Sequence, residues 1–156
     1  MSSSSSLQIS IKITNVETND KITFKVDGRL HQQPRTLKLC SNAKYKIQIT
    51  CQPHADFHSF HFGGSDLELV GGPPNSGQYS ALWNTTGIDP TKRGTREDLL
   101  FVLSGPSGTL RRHVQSKFYG KEDSHAHYGH KLEALIWKCS LDPATGVVTI
   151  TDEEMK

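Results

Sequence analysis

Three runs between residues 21 and 53 alternate apolar and polar side chains with period two, and that pattern narrows what the chain can fold into. Ile22, Phe24 and Val26 alternate with Lys21, Thr23 and Lys25; Leu37 and Leu39 flank Lys38; Tyr45, Ile47, Ile49 and Cys51 alternate with Lys44, Lys46, Gln48 and Thr50. Strand side chains point to opposite faces in turn, so each run has one apolar face and one basic-polar face. A helix would scatter the same apolar residues around its circumference and bury lysines. Asp27-Gly28 and Ser41-Asn42 join the runs as turns, and Gln32-Gln33-Pro34 reads as an irregular connection.

The rest of the chain repeats the theme. Leu7, Ile9, Ile11 and Ile13 alternate, as do Tyr79, Ala81 and Trp83, then Val114, Ser116 and Phe118. Phe57, Phe60 and Phe62 predict a strand ending at Gly63-Gly64, and Leu67 to Val70 a short one. Leu99 to Leu103 is continuously apolar, as expected of a strand buried on both faces. Leu132 to Cys139 and Val147 to Ile150 supply the last strands, after a polar, His-rich loop at Lys121 to His130. Roughly nine to eleven short strands with regular turn signals and no convincing helix predict an all-β sandwich or barrel. The 156 residues suit one domain, expected over 7–151, with a disordered serine leader at 1–6 and a tail at 152–156.

Composition removes several function classes. With 18 basic and 16 acidic residues, the net charge of +2 gives no general argument for nucleic acid or membrane adsorption. Lys12, Lys21, Lys25, Lys38, Lys44, Lys46 and Lys117 read as solvated outer faces, which keep exposed sheets soluble. The three cysteines, Cys40, Cys51 and Cys139, lack metal-type spacing and read as free thiols, which fits a reducing, cytoplasmic setting. No signal peptide or membrane-spanning run is visible.

The chemistry-bearing residues propose no active site. His54, His58 and His61 would share a face only on a helix, and the flanking Pro53 and phenylalanines favour a strand. His125, His127 and His130 crowd one loop with only Asp123 nearby, so solvated histidines are expected, with no metal and no cofactor. Ser104-Gly105-Pro106-Ser107-Gly108 reads as a turn between strands. No nucleophile elbow, phosphate loop or dinucleotide fingerprint is present, which makes the chain a non-enzyme. Phe24, Tyr45, Trp83, Phe101, Phe118 and Trp137 are the large residues that would line a cavity between sheets, or simply fill the core.

An ordered set of short words carries a family resemblance. They are Lys25-Val26-Asp27-Gly28, Arg35-Thr36-Leu37-Lys38-Leu39, Tyr45-Lys46 closed by Pro53, Phe62-Gly63-Gly64, Gly87-Ile88-Asp89-Pro90-Thr91-Lys92-Arg93-Gly94, and Lys117-Phe118-Tyr119. In this order over most of residues 7 to 140 they resemble the cannabinoid receptor-interacting protein family. Gly71 to Gly77 and Leu141 to Lys156 depart from the family pattern, so the chain reads as a divergent member. The resemblance implies an immunoglobulin-like antiparallel β-sandwich similar to Rho GDP-dissociation inhibitors. It also implies a cytoplasmic, non-enzymatic adaptor that binds the intracellular C-terminal tail of a cannabinoid-type receptor, peripheral at the plasma membrane through that partner. By analogy of fold alone, the alternative is a carrier that holds a prenyl or acyl group, or a lipidated protein, between the sheets. On the matched words, Lys92, Arg93, Arg96, Lys117 and Tyr119 are the expected partner-binding residues.

Overall fold

A computed structural model describes residues 5–26 and 35–156, so the expected Asp27-Gly28 turn, the Gln32-Gln33-Pro34 connection and most of the serine leader lie outside the described residues. The strands are β1 (Ser5–Asn15), β2 (Thr23–Val26), β3 (Arg35–Cys40), β4 (Lys44–Gln52), β5 (Ser59–Phe62), β6 (Ser65–Leu67) and β7 (Val70–Gly71). They continue with β8 (Gln78–Asn84), β9 (Glu97–Gly105), β10 (Gly108–Tyr119), β11 (His130–Lys131), β12 (Leu135–Asp142) and β13 (Val147–Met155). The fold is all-β, and the described strands form one hydrogen-bonded sheet ordered β11-β2-β3-β10-β13-β12-β1-β4-β8-β7, with β9, β5 and β6 leading off the other side of β10.

Strand β10 is the branch point. Thr109 and Leu110 pair in parallel with Val147 and Val148, whereas Ser116 to Tyr119 pair in parallel with Leu37 to Cys40. One long strand therefore leaves one limb of the sheet and joins the other. The limbs curl to face each other, because rings from both meet in the core. Phe62 of β5 lies 4.8 Å from Trp83 of β8, and Phe101 of β9 lies 4.9 Å from Trp137 of β12. Alternation drives this arrangement: Ile9, Ile11, Ile47, Ile49, Leu37 and Leu39 are all at most 1% exposed, and in β1 and β4 the residues between them face outward.

Four expectations change. The sheet is not purely antiparallel, since β10 makes two parallel pairings across long connections. The strands number thirteen among the described residues, because β7 and β11 are two-residue pairings without a periodic signal. Leu99 to Leu103 is not buried on both faces: Leu99, Phe101 and Leu103 enter the core, whereas Leu100 and Val102 are half-buried on the outer side. Residues expected in the leader and tail also belong to strands. Ser5 and Ser6 pair with Leu141 and Ser140, and Asp152 to Met155 continue past a register shift to bury Met155. Among the described residues, a single 3₁₀ turn, Ser124–His127, interrupts the β pattern; it sits in the His-rich loop, capped by Asp123.

Candidate functional site

The outer face of β2, β3 and β10 collects cations. Register sets Thr23 beside Lys38 and Lys25 beside Thr36, and on the other side of β3 sets Lys117 beside Lys38 and Tyr119 beside Cys40. Leu37, Leu39, Phe24 and Phe118 take the core positions, so the intervening residues share the opposite face. Lys38 Nζ and Lys117 Nζ stand 5.6 Å and 5.5 Å from the Tyr119 ring centroid, within reach of cation–π attraction. Arg96 reaches in from the preceding loop and donates from Nε to Thr36 Oγ1 at 3.2 Å and from Nη1 to the Thr95 carbonyl at 2.9 Å. Gln115 Nε2 donates to the same Thr36 hydroxyl at 2.8 Å.

Electrostatics confirm the crowding. Burial, with help from Lys25, Lys117 and Arg96, lowers the Lys38 pKa below the ordinary lysine value; burial, then Arg96, Lys25 and Arg93, does the same for Lys117. Asp123 acts against both shifts. Its own carboxyl is held low, first by the His125 backbone N–H at 2.9 Å and then by the His125 ring. Asp98 of β9, opposite Gln115, sits at the rim. Lys25 and Arg96 therefore act on both lysines beside the Tyr119 ring, and Arg93 acts on Lys117.

The loop that brings Arg93 and Arg96 is fastened to β10 by Thr91. Its N–H donates to the Phe118 carbonyl at 2.9 Å, and its hydroxyl accepts from the Phe118 N–H at 2.9 Å. Two of the words read from the sequence thus meet in space. Of the expected partner residues, the structure brings together Arg93, Arg96, Lys117 and Tyr119. Lys92 is exposed on the same loop, where its carbonyl accepts from Thr95 N–H at 3.0 Å and from the Thr95 hydroxyl at 2.6 Å.

Lys25 and Lys38 belong to the face as well, although the sequence reading set them among solvated lysines. For Lys38 that expectation fails: it is 8% exposed, because its Nζ donates to the His125 carbonyl at 3.0 Å and to the Tyr128 carbonyl, tying the His-rich loop over β3. Thr23 helps, donating its hydroxyl to the Ala126 carbonyl at 2.7 Å. The parallel register that sets Lys38 beside Lys117 joins distant segments and leaves no local signal in the sequence.

The six large aromatics occupy the interior between the limbs. Tyr45 lies 5.8 Å from Trp83, Trp83 lies 6.1 Å from Phe118, and Phe101 meets Trp137 edge-on. Phe24 packs at one end against His130 at 5.4 Å. Three of the histidines pair with carboxylates, His54 with Asp56, His61 with Asp66 and His125 with Asp123. Among the described residues, no group of three or more His, Cys, Asp or Glu side chains is placed to hold a metal ion. No helix among them is long and apolar enough to cross a membrane.

A curled β-sheet domain that sets half-buried Lys117 and Tyr119 beside exposed Lys25 and Arg93 on one face, over a buried Lys38, has a basic surface suited to a protein partner. The family model described as CB1 cannabinoid receptor-interacting protein 1 matches residues 3–155, and the chain belongs to that family. The protein of that name from mouse is 27% identical over 155 residues, covering 94% of each chain; those from human and cattle are 26% identical over the same length and share. The match runs through Leu141 to Met155, which the sequence reading had set outside the family pattern. Family membership makes the chain a non-enzymatic protein with a general protein-binding role.

Proposed function

We propose that the chain is a cytoplasmic adaptor that binds the intracellular C-terminal tail of a cannabinoid-type G protein-coupled receptor on the outer face of β2, β3 and β10, and so modulates the receptor's signalling and trafficking. The observation that carries this reading is the pair Lys38 and Lys117 against the Tyr119 ring, with Lys25, Arg93 and Arg96 near enough to act on one or both lysines and Asp123 as the opposing carboxylate. Such a face steers an acidic segment, and Tyr119 offers a flat surface for an apolar side chain of the tail. The mouse and human relatives are named for interaction with the CB1 cannabinoid receptor, which supports the choice of partner. The two facing limbs support an immunoglobulin-like sandwich of the Rho GDP-dissociation inhibitor kind as the frame that displays the face.

The test is fluorescence anisotropy with a labelled acidic C-terminal tail peptide of such a receptor. Arg93→Glu with Lys117→Glu should weaken binding about tenfold or more, a loss of about 1.4 kcal/mol, and binding to the unaltered protein should fall with added salt. Unchanged affinity in the double variant rejects the site. The alternative of a lipid chain held between the limbs requires the Trp83, Phe62, Phe101 and Trp137 rings to part. A co-purifying lipid mass in native mass spectrometry would favour it.

A further inference from the structure

The outer face of β1, β4 and β8 carries a second group of cations, on strands that take no part in the Tyr119 face. Lys12 of β1 is opposite Gln48 of β4, which is opposite Ser80 of β8. Two residues along β4 one way, Thr50 is opposite Gln78; two residues the other way, Lys46 is opposite Leu82. Ile11, Ile13, Ile47, Ile49, Ala81 and Trp83 take the core side, so these residues share the outer one. Lys12 and Lys46 are diagonal neighbours across the β1–β4 pair, about 7–8 Å apart at the backbone. Both are exposed, as is Lys44, and none of the three makes an ion pair with a described residue.

A cleft of about 300 Å³ opens over this group, lined by Lys12, Lys46, Gln48, Thr50, Gln78 and Ser80 together with β7 from Val70. No carboxylate lines it; Glu68 lines the adjoining cleft, which shares Lys46, Val70 and Ser80. Two ammonium groups, two hydroxyls and two carboxamides therefore turn donors toward one space. Strand β4 pairs on both sides here, with β1 and β8, so its backbone groups are already used within the sheet. A peptide lying across this face would find no backbone partner in it. A phosphate monoester needs only side-chain donors, and it brings about two negative charges and three acceptor oxygens to two lysines. Leu82 and Val70, 69% and 52% exposed, flank the donors. A soluble anion would leave that apolar surface wet, whereas a lipid surface would cover it.

We propose that this cleft binds the phosphorylated headgroup of an inositol phospholipid, and that the outer face of β1, β4 and β8 rests on the membrane that carries it. The flexible stems of Lys12 and Lys46 bring both ammonium groups to one phosphate, and Gln48, Thr50, Gln78 and Ser80 donate to its oxygens and to the ring beside it. Leu82 and Val70 enter the headgroup layer, and Lys44 adds attraction to the anionic surface. The net charge of +2 supplies little attraction over the whole chain, so the affinity rests on this cleft. A second copy of the chain is a weaker occupant, because the acids of its β13 are matched within its own sheet. Glu153 is held by Arg112 and Trp137, and Asp152 is opposite Lys138. The cleft uses no residue of the Tyr119 face, so the proposal stands apart from the tail-binding reading.

The test is sedimentation of the full chain with two kinds of phosphatidylcholine vesicle, one carrying a ring-phosphorylated inositol phospholipid and one carrying phosphatidylserine at equal surface charge. Binding should favour the first by about tenfold or more and fall with added salt. Lys12→Glu with Lys46→Glu should weaken it about tenfold or more, and the charge-matched Lys121→Glu with Lys156→Glu about threefold or less. All four lysines are exposed, and an unchanged urea midpoint shows that each variant folds. On the unaltered isotope-labelled chain, inositol trisphosphate should shift the NMR amide signals of Lys12, Lys46 to Thr50 and Gln78 to Ser80. Leu82→Ser should weaken vesicle binding by more than it weakens inositol trisphosphate binding. Equal binding to both kinds of vesicle, equal losses in the two lysine pairs, or no shift at these amides with millimolar inositol trisphosphate would overturn the proposal. So would a dimer in sedimentation velocity that Lys12→Glu with Lys46→Glu dissolves. Inositol trisphosphate bound at the cleft without vesicle binding would overturn the lipid assignment in favour of a free phosphorylated ligand.

Discussion

Gly63→Ala and Gly64→Ala form a matched pair that isolates one packing contact. Both glycines adopt left-handed backbone, with φ of +59° and +83°. An alanine at either position bears the left-handed penalty of about 1–2 kcal/mol. The sites differ in surroundings. A Cβ on Gly63 would come within 2.4 Å of Trp83 Cζ2, whereas one on Gly64 meets nothing within 4 Å. Trp83 is 1% exposed, and Phe62, Tyr45 and Phe118 surround its ring, so it has little room to swing aside. Overpacking of that kind costs about 1–3 kcal/mol further. Gly63→Ala should therefore lose about 2–5 kcal/mol and Gly64→Ala about 1–2 kcal/mol. Urea unfolding with unchanged slope reads the difference directly, and thermal midpoints should separate by about 2–4 °C per kcal/mol. Equal losses in the two variants would refute the claim that this motif glycine is set by close approach to Trp83.

Thr85 is fully buried, accepting from Ala43 N–H at 2.8 Å and donating to the Cys40 carbonyl at 2.7 Å, so Thr85→Val should cost about 1–3 kcal/mol by urea unfolding. Burial pushes the Cys51 and Cys139 thiols up to about 11 from an ordinary 9.0. Above the ordinary value the unfolded chain binds fewer protons than the folded one, so stability present at lower pH is lost as pH rises from 9 toward 11. Cys51→Ala with Cys139→Ala should flatten part of that decline, measured as urea midpoints at about pH 8 and about pH 10.5. Glu153 accepts from Trp137 Nε1 at 2.6 Å and pairs with Arg112 at 3.2 Å. Glu153→Gln, which keeps an acceptor, should cost about 1 kcal/mol or less, and Glu153→Leu about 1–3 kcal/mol, with a shift in tryptophan emission only in the second.

The strands with one wet face were legible because alternation has one meaning when a single face is buried: β1, β4 and β8 lie where Leu7 to Ile13, Tyr45 to Cys51 and Tyr79 to Trp83 alternate. The branching of β10 was not legible. Val114, Ser116 and Phe118 show the strand, but its parallel partners are chosen by distant segments that leave no local period. The run Leu99 to Leu103 misled because partly exposed Leu100 and Val102 look the same in sequence as buried ones. Lys38 misled in the opposite sense: a lysine on a polar strand face is usually solvated, and the carbonyls that bury it come from an aperiodic loop. At the site, the order of the words around Asp89 to Gly94 and Lys117 to Tyr119 was readable, whereas their meeting through Thr91 and Phe118 needed the fold.

The proposed function rests on a receptor tail binding the face of β2, β3 and β10. NMR shift mapping of the isotope-labelled chain, titrated with an unlabelled acidic tail peptide of a cannabinoid-type receptor, tests it most directly. Perturbed amides should cluster at Lys25, Thr36 to Lys38, Arg93 to Arg96 and Lys117 to Tyr119, and Arg93→Glu with Lys117→Glu should erase them. Perturbations that spare these residues and gather in the aromatic interior or elsewhere on the sheet would contradict it.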